Sequence, residues 1–374
     1  MSIDRKKLLK FGDELKTRLH ELTKEIYELA GEEFNINSPK QLGEILFEKL
    51  KLPMAKKNKT GYSTGVEILE KLKTTHPIIE KLLEYRQIGR LNSTYVEGLI
   101  PYINSKTNRI HSSFHQTVTA TGRISSTDPN LQNIPTRYEL GKNLRKVFKP
   151  ERGRIFIDAD YSQIELRVLA HISNDEHMIE AFKHDEDIHK QVASKVFNVP
   201  IEKVTKEQRS RAKAVNFGIV YGMSDFGLAE QIGIPRKEAK KYIEQYLEKY
   251  QGIKQFMEEI VEKAKKDNYV ETLFHRRRYV PEINSNNYMV RQFGNRIAMN
   301  TPIQGTAADI MKLAMINIYN RLNERNLKSK IILQVHDELL IEAEPEEKEE
   351  LEEILKQEME NIIKLKVPLK IDIE

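Results

Sequence analysis

Two pairs of acids in this sequence sit where a carboxylate is hard to keep. Residues 154–161, RIFIDADY, read as a strand, and strand alternation puts Phe156, Asp158 and Asp160 on one face with Ile155, Ile157 and Ala159 on the other. Acids are depleted in strands, and two on one face repel unless water or a cation screens them. The second pair lies in LQVHDELLIEA, residues 333–343, where apolar runs flank His336, Asp337 and Glu338 as in a hairpin. Two-residue hairpin turns are usually Asn-Gly or Asp-Gly because the backbone takes positive φ there. Here the tip has adjacent acids and no glycine. Hard divalent cations such as magnesium take carboxylate oxygens, one or two from protein with the rest from water and phosphate. A cation would account for both pairs. The plainer account of Asp158 or Asp160 is a cap on the helix that SQIELR begins. For Glu165 it is a capping box, Ser162-x-x-Glu165 ahead of an apolar run.

A second chemistry is offered by TKEQRSRAKAVNFGIVYG, residues 205–222. Thr205-x-x-Gln208 is a capping-box start, so a helix begins near Lys206. Arg209, Lys213, Phe217 and Tyr221 follow at four-residue steps, each about 40° beyond a full turn, so they fall within about 120° on one side. Bases in first turns oppose the helix dipole, and Arg209, Arg211 and Lys213 together would be relieved by a bound anion such as a phosphate. Two aromatic rings further along offer a stacking surface. Gly218 and Gly222 each cost roughly 1 kcal/mol against alanine in a helix, which suggests a close approach to that backbone. The competing account is a solvated helix start followed by an aromatic core stripe.

Hydrogen-bond donors make a third group. Arg123, Gln132 and Asn133 fall in the polar stretch TATGRISSTDPNLQNIP, and Arg296, Asn300 and Gln304 recur at four-residue steps in RIAMNTPIQG. Donors of this kind reach the minor-groove acceptors common to all base pairs, and so bind a duplex without reading its sequence. Turn chemistry and helix capping are the alternatives.

The elements that must position these groups are legible in outline. Residues 1–30 read as an amphipathic helix with Leu8, Phe11, Leu15, Leu19, Leu22, Ile26 and Leu29 as its apolar stripe. A second helix starts with Ser38 as cap and Pro39 at the first position. Residues 53–65 are polar, basic and glycine-containing, a loop, after which helix resumes. Residues 104–136 lose helical periodicity and read as short strands and loops, unusually polar for mid-chain. Mostly helical pattern returns from about 174 to 268. YVETLFHRRRYVPEI is then a short hairpin and TPIQGTAADIMKLAMINIYNRL a buried helix. Helix-rich ends around strands in the middle and near the C-terminus imply an α+β fold.

Composition narrows the class. The 374 residues are 39% hydrophobic and 31% charged, enough for two or three substructures. No run of 18 apolar residues spans a membrane, and the charged N-terminus lacks a signal-peptide core. The absence of cysteine excludes disulfides, thiolate catalysis and cysteine-bound zinc, and is compatible with a reducing cytosol. Net charge is only +5, but residues 142–154 carry six bases and one acid, residues 275–278 are HRRR, and the C-terminal 342–362 region is acidic. That asymmetry fits one basic face, though solvated helix faces give the same pattern.

DADYSQIELRVLAHIS, RSRAKAVNFGIVYGMSDFGLA and QVHDELLIEA together resemble three motifs of the family A DNA polymerases, the bacterial polymerase I type. TATGRISSTDPNLQNIPTR and MNTPIQGTAADIMKLAM resemble two further blocks, and all five occur in the family's order. The resemblance implies a right-hand fold: thumb over 1–98, palm over 99–173 and 296–374, fingers over 174–295, and no exonuclease domain. It implies template-directed DNA synthesis from dNTPs by two-metal transfer to a primer 3′-hydroxyl, releasing pyrophosphate without proofreading. By the same resemblance Asp160 and Asp337 bind metal with the Tyr161 main chain, and Glu338 is the neighbouring acid. Arg209 and Lys213 hold the triphosphate, Lys213 also acting in catalysis. Phe217, Tyr221, Gln163 and His189 line the nucleotide pocket, and Glu165 discriminates the ribose. Arg123, Gln132, Asn133, Arg296, Asn300, Gln304 and His336 contact duplex and primer terminus. The cofactor is magnesium, two ions, with manganese as a substitute.

Further expectations follow from the resemblance. A tyrosine at the position of Phe217 accompanies easy acceptance of dideoxynucleotides, so this chain should discriminate against them. The partners are primer–template DNA and dNTPs, with no membrane; the expected state is a cytoplasmic monomer. The chain reads as an excised or minimised polymerase module that stops at KIDIE, short of the family's tryptophan-containing tail. The alternative function is a module that binds primer–template with little or no turnover. An RNA-synthesising relative is opposed by Glu165.

Overall fold

The computed structural model describes the chain except for residues 54–56, 59, 60 and 136–138. It divides into two compact units, one of residues 1–113 with 127–151, the other of residues 114–126 with 152–374.

In the first unit the amphipathic stripe becomes α1, Arg5–Ala30, capped by the Asp4 carboxylate accepting from Lys7 N–H. Leu8, Phe11, Leu15, Leu22 and Ile26 are buried as their spacing predicts, while Leu19 and Leu29 lie at the margin of the stripe. Ser38 caps and Pro39 opens α2, Pro39–Gly43. This helix then widens into a π-helical stretch over Glu44–Lys49. The loop expected over 53–65 contains a two-residue antiparallel pair, Lys57–Asn58 with Gly61–Tyr62, around residues outside the description. Helix resumes in α3, Pro77–Arg90, which packs on α1 and is tied to it by Arg18 Nε on Glu84 at 2.8 Å. A second π-helical stretch, Leu91–Glu97, follows directly. The polar stretch forms a tight turn over Leu131–Asn133 in this unit, while its strands Ser113–His115 and Ser125–Thr127 lie at the ends of the segment 114–126 that belongs to the second unit.

The second unit is built on a four-stranded antiparallel sheet. Its strands are β1, Ile155–Tyr161; β4, Lys330–Val335; β5, Glu338–Ala343; and β6, Ile371–Ile373, in spatial order β4-β5-β1-β6. Ile157, Ala159 and Tyr161 of β1 join Leu339, Ile341 and Ala343 of β5 in the core. Helices supply the rest: α4, Ile164–Ser173; α5, Ile188–Phe197; α6, Lys206–Val220; and α8, Lys348–Glu360. The hairpin of β2, Tyr269–Glu271, and β3, Arg277–Tyr279, is as the sequence predicts. The buried helix expected from Thr301 starts thirteen residues earlier: α7 runs Tyr288–Glu324, 37 residues with Pro302 inside it. Thr301-Pro302 reads as a helix start because proline favours first turns, but here both side chains are buried and packing carries the helix through. Its outer side is exposed at Ile316 and Tyr319, so it is buried on one face only. No described helix is long and apolar enough to cross a membrane. The fold is α+β.

Candidate active site

The acidic turn and the acidic strand meet. In β1 the core takes Ile157, Ala159 and Tyr161, leaving Asp158 and Asp160 on the opposite face. Val335 pairs with Glu338 across the β4–β5 hairpin, so the turn is His336-Asp337. Glu338 in turn pairs with Asp160, and Tyr161 N–H donates to the Asp337 carbonyl at 2.9 Å. Asp160 and Asp337, expected to converge only by resemblance, are therefore neighbours.

The turn is made without glycine because a side chain holds it. His336 takes φ 63°, and Asp337 N–H closes a three-residue turn on the Val335 carbonyl at 2.8 Å. The amide of Gln334, 3% exposed, accepts from His336 N–H and donates to His336 C=O, at 3.2 and 3.3 Å. A positive φ outside glycine persists where surrounding structure over-determines it. His336 Nδ1 is buried without a hydrogen-bond partner, and burial, with Arg123 second, pushes its pKa down to about 4.

The electrostatics fit a cation. The Asp160 pKa is pushed up to about 7, first by burial and then by repulsion from Asp337, Glu338, Asp158 and Asp372. Asp337 is also raised by burial, with Arg123 pulling it back. Both acids are exposed by surface area, so the crowding comes from the sheet beneath and like charge beside. Among the described residues no three acid or imidazole side chains close around one point. The donors at hand are carboxylates and a main-chain carbonyl, hard oxygens of the kind magnesium and manganese accept. Two protein carboxylates with open positions are the usual magnesium arrangement where phosphate is a further ligand.

Glu165 does not form the expected capping box. The residue before α4 is Gln163, held at φ 55° with no side-chain cap, which makes Glu165 the second helical residue. Its carboxylate, 9% exposed, accepts from Arg123 Nη2 at 2.7 Å and interacts with the Tyr221 hydroxyl. Burial raises its pKa and Arg123 opposes the rise.

The triphosphate candidates cluster where α5 meets α6. The Thr205–Gln208 capping box forms as predicted. Arg209 Nε donates to Asp187, the α5 cap, at 2.7 Å, and Lys213 Nζ lies 5.9 Å from the Phe217 ring centre. His189, 3% exposed, lies 6.0 Å from that ring and shares a 3.0 Å hydrogen bond with Asn216. Burial, then Lys213 and Arg209, push the His189 pKa down to about 4. Arg211 departs from the expected anion cluster: it turns to Glu207, Glu238 and the Tyr242 hydroxyl, so its charge is met internally. Of the two glycines, only Gly222 is needed by a close approach. At φ 60°, a Cβ there would come within 2.8 Å of Met299 and 3.2 Å of Arg296 on α7, whereas at Gly218 the nearest atom is an ordinary 3.5 Å away.

Arg296, Asn300 and Gln304 lie along α7, all partly buried. Gln132 and Asn133 lie in the turn of the first unit, Gln132 partly buried and Asn133 exposed. Two residues near the site gave little sequence signal. Asp372, flanked by inward-facing Ile371 and Ile373, pairs with Asp160 across β6 and β1, a contact that only the β6 register reveals. Asp187 reads from sequence as a plain helix cap, and its tie to Arg209 needs the fold.

A family sequence model for DNA polymerase family A matches residues 5–374. DNA polymerase I of Caldicellulosiruptor bescii is 57% identical over 372 residues, 100% of this chain and 44% of that protein. DNA polymerase I of Bacillus subtilis is 55% identical over 373 residues, again 100% of this chain and 42% of that protein. The chain thus spans less than half the length of these relatives. Among solved structures, the POL domain of Pol1 from M. smegmatis, in complex with DNA primer-template and dNTP, superposes with a TM-score of 0.95 at 44% identity, covering 100% of this chain and 66% of that one. Likeness of this extent in both sequence and fold makes the chain a member of DNA polymerase family A.

Proposed function

We propose that this chain adds deoxynucleotides to a primer 3′-hydroxyl on a DNA template. The observation that carries the reading is the meeting of Asp160 and Asp337 from separate elements, in a fold matched to one solved with primer-template and dNTP. Asp160, Asp337 and the Tyr161 carbonyl would hold two magnesium ions. When bound, such ions activate the attacking hydroxyl and neutralise the leaving phosphates. Glu338 and Asp372 deepen the negative potential that draws them.

The chain's own groups do the positioning. Arg209 and Lys213 present charged donors to the phosphates, with Asp187 fixing Arg209 in direction. Phe217 offers a ring to the nucleotide, backed by a buried, neutral His189. Gln163 and Tyr221 complete the pocket. Glu165, fixed by Arg123, would meet a ribose 2′-hydroxyl with a buried carboxylate and so disfavour ribonucleotides. Arg123, Gln132, Asn133, Arg296, Asn300, Gln304 and His336 contact duplex and primer terminus. Thumb, palm and fingers fall over 1–98, 99–173 with 296–374, and 174–295. Residues 5–374, which the family model matches, are on this reading a synthesis module without proofreading.

The test is extension of a labelled primer with dNTPs and magnesium, beside Asp160→Ala and Asp337→Ala. Loss of several kcal/mol of charge stabilisation lowers the rate on the order of a thousandfold in each. Normal extension by both variants overturns the assignment.

A further inference from the structure

The stretch 128–133 contains little regular structure, yet hydroxyl groups bolt it at three points within its own unit. Tyr102 donates to the Asp128 carboxylate at 3.1 Å, and Ser112 Oγ donates to the Pro129 carbonyl at 2.7 Å. Tyr95 donates from its phenol to the main-chain carbonyl of Asn133. The third bolt differs from the others in kind. Tyr95 is 5% exposed, where Tyr102 is 41% exposed, and it sits in the π-helical stretch Leu91–Glu97. A π-helical turn inside a helix often marks a functional position. Here it follows α3 directly and carries a side chain that reaches the end of the Leu131–Asn133 turn.

Each end of that turn is fixed. Asn130 caps it, its side chain accepting from Gln132 N–H at 3.0 Å, and Leu131 is buried at 5%. Tyr95 fixes the far end. The two residues between these anchors, Gln132 and Asn133, are the polar pair assigned to the duplex. A main-chain carbonyl held by a buried phenol constrains Asn133 backbone direction, and with it both side chains, without touching DNA. The aromatic ring alone would fill the same volume, so the hydroxyl serves the carbonyl and not the core.

We propose that Tyr95 is a positioning residue for primer–template binding, acting through Gln132 and Asn133. The inference rests on the duplex-contact reading of those two residues. Without the hydroxyl the turn samples other directions, and the entropy of restoring the binding one falls on association.

The experiment is equilibrium binding of a fluorescent primer–template duplex at fixed salt, with steady-state extension alongside, for the parent, Tyr95→Phe, Gln132→Ala/Asn133→Ala and the triple variant. Tyr95→Phe keeps the ring, and Ser112→Ala releases the neighbouring bolt as a second route that leaves the buried core intact. One hydrogen bond predicts about a fivefold rise in Kd for Tyr95→Phe, with kcat at saturating DNA unchanged. In the Gln132→Ala/Asn133→Ala background the same change adds nothing, because the residues it acts through are gone. Ser112→Ala moves Kd in the same direction. Additive effects in that background, or a fall in kcat with Kd unchanged, overturn the role of Tyr95. If Gln132→Ala/Asn133→Ala itself leaves Kd unchanged, the duplex-contact reading fails, and this proposal with it.

Discussion

Phe217 carries the sharpest consequence for a single residue. Its ring lies beside Lys213 and His189, and a phenol hydroxyl there would give an incoming nucleotide a partner that phenylalanine withholds. Hydrogen bonds to charged groups contribute about 1.5–3 kcal/mol, so Phe217→Tyr should raise dideoxynucleotide incorporation roughly ten- to a hundredfold. Competition between ddNTP and dNTP on a short template measures it, and an unchanged ratio counts against this placement of Phe217. His189 makes a stability prediction. Folded, it takes a proton only near pH 4, while an unfolded histidine does so near 6.5. Between those values the unfolded state binds more protons, so stability falls as pH drops through 6.5 and levels off below 4. At pH 5 the loss from His189 is about 2 kcal/mol, and His336 adds in the same direction. Denaturant unfolding at pH 7 and 5 should show a smaller drop for His189→Gln than for the parent. Asp160→Asn should remove repulsion, and without divalent ions it stabilises the fold by about 1 kcal/mol once solvent screening is allowed for. Thermal unfolding in chelator would show the gain. At this scale the sequence showed which residue types were present but not their partners. Asp187 for Arg209, Arg123 for Glu165 and Glu238 for Arg211 are all distant in the chain.

Among the elements, the β4–β5 hairpin shows how a local rule is met by an unexpected means. Glycine supplies positive φ in most such turns; here the Gln334 amide supplies the restraint and leaves both turn positions free for functional side chains. Gln334→Ala removes two hydrogen bonds to His336 and should cost about 1–2 kcal/mol in global stability. It should also cost more in extension rate than stability alone explains, because Asp337 follows His336 directly. Unfolding and single-turnover extension measured together separate these effects. The alternation of β1, the capping box of α6 and the stripe of α1 were legible because each is decided within one element. The reach of α7 back to Tyr288 was not, since Pro302 reads as a start wherever burial cannot be seen. The Glu165 capping box failed for the related reason that a spacing pattern cannot say where α4 begins.

For the molecule as a whole, metal and DNA should separate cleanly. If the acids of β1 and the hairpin hold the ions and the basic groups hold the duplex, as proposed, chelation removes the first and leaves the second. Extension should stop in EDTA while primer–template binding persists within a fewfold and weakens with added salt, about one counterion per phosphate contact. Binding that vanishes with the metal would contradict that separation. The five blocks of motif made the family legible from sequence, yet the division of the chain into two units was not, because strand and loop segments near residue 120 look alike on either side of the division. That division has a last consequence. The chain passes between units at 113/114, 126/127 and 151/152, so the thirteen-residue strip 114–126 belongs with residues it precedes by a long interval. It brings Arg123 to the buried Glu165. No single break in the gene can therefore yield both units whole: a recombination point at 151/152 parts the buried Glu165 from Arg123, its basic partner. The two halves are bound to be inherited together.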